Sequence, residues 1–284
     1  MSRVAIVTGA SAGIGAATSR LLHERGFRVY AVARRLDRMA PLAALGIDTV
    51  RADVTDEADL VALVDRVVTG SGRIDVLVNN AGYGSFGALE DVPLDEARRQ
   101  FEVNVFGAAR LCQLVLPQLR ARGAGRIINV SSIGARMYQP LGGWYHSTKY
   151  ALEGLSDCLR VELRPLGIDV VMIQPGGIDT EFPRVAGERL LATSGDGAYA
   201  GYARRYAASL NSDARGISPP SVVARAIVRA ATARRPRARY PVGRGARAAL
   251  LARWLLPDRV YDRVLVGLFT AIADAGARKA ERTG

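Results

Sequence analysis

Cysteine is nearly absent: Cys112 and Cys158 are the only thiols in 284 residues. Two thiols cannot build the disulfide framework on which small secreted domains depend. Ahead of Thr8 the chain offers only the short apolar run 4–7, not the longer apolar region of a secretory leader, so a cytoplasmic protein is expected. Histidine is equally scarce, and His23 and His146 lack metal-ligand spacing, so no metal is expected. Long hydrophobic runs are missing too: the uncharged stretch 264–273 is half of the roughly 20 residues that span a bilayer. No Pro/Gly/Ser-rich linker and no repeat period divide the chain, which leaves one domain. With 49% hydrophobic residues and a mean hydropathy of +0.08, a packed core is ample and disorder is not the expectation.

Negative charge is in deficit. The net charge is +12, and from position 234 onward twelve Lys/Arg face four Asp/Glu, so +8 of it sits in the last fifth of the chain. This basic excess has no aromatic-interleaved or helix-turn-helix context, so no specific nucleic-acid partner is expected. Two apolar segments, 248–256 and 260–273, lie in the same region. They could lie on an anionic membrane surface or pack on the core or a second subunit. Packing is the favoured reading, because amphipathic helices more often bury their face in protein.

What the chain does contain is an alternation. Apolar runs of strand length at 3–8, 27–33, 47–52, 74–79, 126–131 and 168–174 are separated by helical patterns at about 14–25, 56–69, 94–121 and 145–164. Strands and helices in turn imply a parallel sheet covered on both faces. Residues 181–216 carry no strand pattern and read as an insertion over the ligand crevice.

Between the first strand and helix stands Thr8-Gly9-Ala10-Ser11-Ala12-Gly13-Ile14-Gly15. Glycines there permit a tight turn and the close approach of a pyrophosphate, which the helix N-terminus stabilises. This T-G-x-x-x-G-x-G spacing resembles that of the short-chain dehydrogenase/reductase family. Asn79-Asn80-Ala81-Gly82, Asp53-Val54 and Pro175-Gly176-Gly177-Ile178-Asp179-Thr180 extend the resemblance over roughly residues 3–182. It implies a Rossmann-type, doubly wound α/β fold. The expected domain is 1–243, with 181–216 as a substrate lid and 244–284 as a helical C-terminal extension. It also implies a dinucleotide held by Gly9, Ser11, Gly13, Ile14 and Gly15, with Asp53, Val54, Asn80, Ala81 and Gly82 on the adenosine side. Pro175, Gly176, Ile178 and Thr180 would border the nicotinamide, the Ile178 backbone binding its carboxamide and Thr180 the carboxamide or the phosphates. A homodimer or homotetramer is implied as well. The second strand ends in Ala33, where an acidic residue would hold a free ribose 2′-hydroxyl. Arg34 and Arg35 follow, and guanidinium groups pair well with phosphate, so NADP(H) is expected over NAD(H).

Tyr145 and Lys149 lie four residues apart at the start of a helical pattern, which puts phenol and ammonium on one face. A phenol with pKa near 10 exchanges protons poorly at neutral pH unless positive charge favours the phenolate. By resemblance, Tyr145 is the acid/base, Lys149 also binds the nicotinamide ribose, Ser132 hydrogen-bonds the substrate oxygen, and Asn104 helps hold a proton-relay water. Lys149 is one of only two lysines in the chain, the other being Lys279. A dinucleotide-binding sensor would need no such set, and an epimerase or dehydratase relative usually carries a different glycine spacing. Apolar and aromatic residues in the loop 134–144 (Met137, Tyr138, Leu141 and Trp144) and Tyr199, Tyr202 and Tyr206, which would share a helix face, suggest a hydrophobic alcohol or ketone if they face the crevice, ordinary core packing being the equal reading for the tyrosines. The segment patterns resemble most the hydroxysteroid and retinol dehydrogenases.

The cofactor expectation has a direct test. Replacing Arg34 by Asp removes a charge-assisted phosphate contact, so the ratio of kcat/KM for NADPH over NADH should fall by about 10- to 100-fold. An unchanged ratio in steady-state assays would remove the assignment.

Overall fold

The computed structural model describes residues 2–211 and 217–267. A seven-stranded, wholly parallel sheet forms the middle layer in the order β3-β2-β1-β4-β5-β6-β7. The strands are β1 (Val4–Thr8), β2 (Arg28–Ala33), β3 (Asp48–Arg51), β4 (Val76–Asn79), β5 (Gly125–Val130), β6 (Ile168–Pro175) and β7 (Arg239–Val242). The helices between them are α1 (Gly13–Glu24), α2 (Ala40–Ala43), α3 (Glu57–Ser71), α4 (Leu94–Phe101), α5 (Gly107–Ala121) and α6 (Gly143–Leu163). After β6 come α7 (Glu181–Ser194), α8 (Ala200–Asn211) and α9 (Pro220–Thr232), and α10 (Ala246–Leu255) follows β7.

All five residues of β1 are buried. Successive strand side chains point to opposite faces, so Ala5 and Val7 join one core layer with Leu22 of α1 and Ile227 of α9. Val4 and Ile6 join the other with Leu60 and Leu63 of α3 and Leu111 of α5. This two-sided burial is why the strands read as continuous apolar runs. Local signals bound the helices as well. At the start of α3 the Asp56 carboxylate accepts from the Asp59 N–H at 3.0 Å, and Gly72 ends the helix at φ +66°.

Among the elements not anticipated are the single turn α2 and, more consequentially, α9 and β7. In α9 the buried Val223, Ile227, Val228 and Ala230 follow a helical period behind Pro219 and Pro220. β7, of sequence RYPV, is half-buried at the sheet edge and contains Pro241, which cannot donate to a ladder and suits only an edge. Arg239 anchors it to α6 through Glu153 at 2.9 Å and Asp157 at 2.5 Å. The helical pattern 94–121 is present without a break, α4 and α5 being joined by a π-helical turn, Glu102–Phe106. The insertion 181–211 forms α7 and α8; its residues 212–216 lie outside the described residues. In the C-terminal extension α10 is followed by helical residues 258–267. The remainder, 268–284, with the end of the apolar run and Lys279, lies outside the described residues. No helix among the described residues is long and apolar enough to cross a membrane.

At the N-terminal edge of the sheet, Asp75 ties the strands together. Its carboxylate accepts from the Val4 N–H at 2.8 Å and pairs with Arg73 and, at 3.1 Å, Arg122. Burial alone would raise its pKa, but the Arg73 and Val4 hydrogen bonds and the Arg122 charge outweigh that and hold it below the usual carboxylate range. A depressed carboxylate stabilises the fold above its unfolded pKa of about 4, and the contribution fades as pH falls through the folded value. Asp75→Asn should therefore cost about 1–3 kcal/mol at neutral pH, less than a fully buried pair because both arginines reach water. Thermal unfolding should show the gap to wild type closing below about pH 4.

Candidate active site

The carboxyl ends of β1 to β6 open on one crevice of about 960 Å³. It sits where the chain reverses its strand order, between β1 and its neighbours β2 and β4, the usual ligand position of an open parallel sheet. At the end of β1 the backbone turns at Gly9 (φ +67°) and Gly13 (φ +52°), conformations that side chains rarely adopt. A Cβ on Gly9 would stand 2.8 Å from Asn80 Nδ2, and one on Gly15 would stand 2.2 Å from the Gly9 carbonyl oxygen. Gly15 thus lies behind the turn and lets α1 close on it, whereas Gly9, Ser11, Gly13 and Ile14 line the crevice. Thr8 Oγ1 accepts from the N–H groups of Asn80 and Ala81, each at 3.0 Å. Asn80 Nδ2 donates back to the Thr8 carbonyl at 2.9 Å. The ends of β1 and β4 are thereby locked together. One residue earlier, Asn79 donates to Asn129 at 2.9 Å and Asn129 to Ser156 at 2.8 Å, crossing from β4 to β5 to α6.

One end of the crevice, beyond β2 and β3, is lined by Ala33, Arg34, Arg35, Asp53 and Val54. Arg34 lies 3.7 Å from Asp53 with most of its side chain in solvent, leaving guanidinium donors free to meet an anion. Burial works to raise the Asp53 pKa, but hydrogen bonds from Thr55 and the Arg34 charge prevail and lower it. A glycine cradle that a Cβ would fill, at a helix N-terminus, suits a dinucleotide, and exposed arginines stand beyond β2.

At the other end stand Ser132, Tyr145 and Lys149, with Pro175, Gly176, Ile178 and Thr180 opposite. Lys149 Nζ donates to the Val130 carbonyl at 3.1 Å. Burial lowers its pKa to about 8, against the opposing influence of Glu153, so the ammonium is still charged at pH 7. Tyr145 is buried, which raises its pKa, while a hydrogen bond with Ser132 acts to lower it. Ser132 Oγ also caps the turn Ile133–Ala135, accepting from the Gly134 N–H at 3.0 Å. Thr180 is the N-cap of α7, accepting from the Phe182 N–H at 3.2 Å.

Asn104 sits behind this wall, in the π-helical turn. Its Oδ1 accepts from the Tyr83 N–H at 3.0 Å, and its Nδ2 donates to the Tyr83 carbonyl at 2.9 Å and to Thr148 Oγ1 at 3.0 Å. Thr148 in turn donates to the Tyr145 carbonyl at 2.8 Å. Asn104 therefore clamps the loop after β4 to the helix turn that carries Tyr145. Thr148 escaped the sequence reading, although a threonine three residues past Tyr145 on a buried helix face was a usable signal.

Around the Tyr145 ring lie Phe86 at 5.2 Å and Phe182 at 5.5 Å, with Tyr206 against Phe86 at 5.8 Å. Phe86 and Phe182 come from irregular or helix-end positions, where periodicity carries no information. Of the apolar and aromatic residues expected at the crevice, Met137, Tyr138 and Tyr206 line it. Trp144 instead packs edge-on against Phe101, and Tyr199, which precedes α8, is exposed. His146 is buried and lines the crevice, with Nδ1 2.7 Å from the Gly134 carbonyl. Among the described residues no cluster of His, Cys, Asp and Glu could hold a metal.

A family model described as short chain dehydrogenase matches residues 3–189. An uncharacterized oxidoreductase of Bacillus subtilis is 36% identical over 273 residues, 93% of this chain and 97% of that protein. The NADPH-dependent 3-dehydrocapnine reductase of Ornithobacterium rhinotracheale is 34% identical, with 92% and 95% covered. The 3-ketodihydrosphingosine reductase of Bacteroides thetaiotaomicron is 39% identical over 181 residues, 63% of this chain and 65% of that one. Among solved structures, a short-chain dehydrogenase from Streptomyces avermitilis matches with a TM-score of 0.76 at 32% identity, covering 93% of this chain and 94% of that one. A metagenomic short-chain oxidoreductase in complex with NADP matches with a TM-score of 0.66 at 28% identity, over 84% and 95% of the chains. A Burkholderia phymatum short chain dehydrogenase/reductase in complex with NAD matches with a TM-score of 0.74 at 25% identity, over 88% and 91%.

Because the chain has only two lysines, the Lys149 environment can be read directly. With ¹⁵N-labelled lysine, one of the two side-chain NMR signals should titrate near pH 8 and disappear in Lys149→Met. Two signals that both titrate near 10 would contradict the burial described here.

Proposed function

The chain belongs to the short-chain dehydrogenase/reductase family and is an NAD(P)-dependent oxidoreductase, and from that premise we propose that it moves hydride between NADP(H) and a hydrophobic ketone or alcohol. Steroids, retinoids and long-chain compounds fit the proposed class. The observation that carries this reading is the convergence of Ser132, Tyr145 and Lys149 on the cleft beside an apolar cage.

When bound, the dinucleotide supplies or accepts the hydride. Gly9, Ser11, Gly13 and Ile14 hold the pyrophosphate over the N-terminus of α1, and Asp53 and Val54 border the adenine. Asn80, Ala81 and Gly82 flank its ribose, while Pro175, Gly176, Ile178 and Thr180 frame the nicotinamide end. Arg34 and Arg35 meet the 2′-phosphate. Similar structures with NADP and with NAD both exist, so the preference rests on these arginines and on Ala33.

Tyr145 gives its hydroxyl proton to the carbonyl oxygen during reduction and removes it during oxidation. Ser132 donates a hydrogen bond to the same oxygen. Lys149, charged at neutral pH, lowers the cost of the phenolate and binds the nicotinamide ribose. Asn104 fixes the loop beside Lys149 and stands at the start of the proton relay. Phe86, Phe182 and Tyr206 exclude water from the reacting oxygen and favour an apolar substrate. The relatives named as reductases of 3-ketodihydrosphingosine and 3-dehydrocapnine support a ketone and the reductive direction. A homodimer or homotetramer in the cytoplasm completes the reading.

An NADPH-oxidation screen across ketones and aldehydes of increasing chain length, run beside Tyr145→Phe, tests it. Turnover should rise with chain length, and Tyr145→Phe should lose about 10²- to 10⁴-fold in kcat with NADPH affinity kept. Activity confined to small hydrophilic sugars, or an undiminished Tyr145→Phe, would count against it.

A further inference from the structure

The C-terminal extension presents a face that the catalytic reading does not use. On α10, Leu251, Trp254 and Leu255 follow a spacing of three and four, so they share one side of the helix. They are 56%, 79% and 61% exposed. Val260 and Val264, also exposed, continue the apolar surface on the helical segment that follows. Among soluble folds such a run of large exposed side chains marks an interaction site.

The charges around it are sorted by sign. Both acidic residues of this region are engaged within the protein: Asp258 pairs with Arg253 at 2.6 Å, and Asp262 accepts from the Tyr138 hydroxyl at 2.8 Å. Arg244, Arg247, Arg259 and Arg263 have no ion pair among the described residues and stand exposed. The surface is therefore apolar and basic at once. A second copy applied to the same face would set arginines against arginines. Residues 268–284, with three basic and two acidic residues, are net basic as well. Nucleic acid would meet the arginines but leave Trp254 and Leu251 wet. An anionic lipid surface satisfies both halves, taking the apolar side chains below its headgroups and the arginines among its phosphates.

This face also connects to the crevice. Tyr138, which lines it, is held by the extension: its ring meets that of Tyr261 edge-on at 5.1 Å, and Arg253 lies over both rings at 5.3 and 5.0 Å. Tyr261 is buried, so the extension is seated on the loop that precedes Tyr145.

We propose that α10 and the segment after it form a membrane-docking surface, on which Leu251, Trp254 and Leu255 enter an anionic bilayer and the neighbouring arginines bind its headgroups, beside the mouth of the crevice. Delivery of an apolar substrate from that bilayer rests on the substrate class proposed above; the docking does not.

Vesicle flotation of the full chain, with no activity readout, keeps the two claims separate. The protein should float with phosphatidylcholine vesicles containing phosphatidylglycerol and remain behind with phosphatidylcholine alone. Each anionic contact is worth about fivefold in partitioning, so Arg247→Glu with Arg259→Glu and Arg263→Glu should reduce flotation more than tenfold. Leu251→Glu with Trp254→Glu should do the same, with thermal unfolding unchanged. Should that pair fail to fold, quenching of wild-type tryptophan fluorescence by brominated phosphatidylglycerol decides, since Trp254 would reach the lipid. The proposal is overturned by a chain that never floats, by flotation indifferent to either set of substitutions, or by unquenched tryptophan. Sedimentation showing a dimer that Trp254→Glu dissociates, with no vesicle binding, would assign the face to a second copy and also overturn it.

Discussion

A buried ammonium and a buried phenol one helical turn apart on α6 form the constraint around which this molecule is organised. Lys149 has a backbone carbonyl of β5 as its hydrogen-bond partner and little water, so its proton affinity drops, yet it remains charged at neutral pH. Tyr145 gains from that charge only if both groups are held, because two isolated polar side chains in an apolar cage would be costly. The hold comes from several strands at once. Thr8 and Asn80 lock β1 to β4, Asn79 and Asn129 carry the link to α6, and Asn104 and Thr148 fix the helix turn bearing Tyr145.

The polar network explains a feature of the helix before β5. A regular α-helix through 94–121 would satisfy its backbone internally, but the π-helical turn at Glu102–Phe106 accompanies the placement of the Asn104 amide against Tyr83 and Thr148. Such turns are frequent at functional sites because they redirect one side chain without ending the helix. Gly82 fits the same geometry: a Cβ there would stand 3.0 Å from Asn104 Oδ1.

The central strands and the glycine turn were legible in the sequence because two-sided burial and pyrophosphate approach leave little choice of residue. Gly9, Gly13, Tyr145 and Lys149 all line the one crevice. β7 was illegible for the opposite reason: a short edge strand containing Pro241 has neither apolar alternation nor a full ladder. The cage around Tyr145 was only half visible. Tyr206 has a helical period, whereas Phe86 and Phe182 are placed by loops and by the packing of α7, which depend on contacts distant in the chain. Trp144 misled because residues on one short segment diverge once the helix begins, and its ring turns to Phe101. The extension beyond β7 shows the same limit, since its basic and apolar content gave no hint that Tyr261 would seat against Tyr138.

The dependence of Tyr145 on the Lys149 charge is most directly measured by ultraviolet difference titration of tyrosinate with and without bound NADP⁺. Burial raises the Tyr145 pKa in the free protein and bound NADP⁺ adds positive charge, so one tyrosine should ionise at lower pH with NADP⁺ than without it, and this step should vanish in Tyr145→Phe and move upward in Lys149→Met. A wild-type protein in which NADP⁺ shifts no tyrosine downward, or in which Lys149→Met leaves the step where it was, would contradict the account.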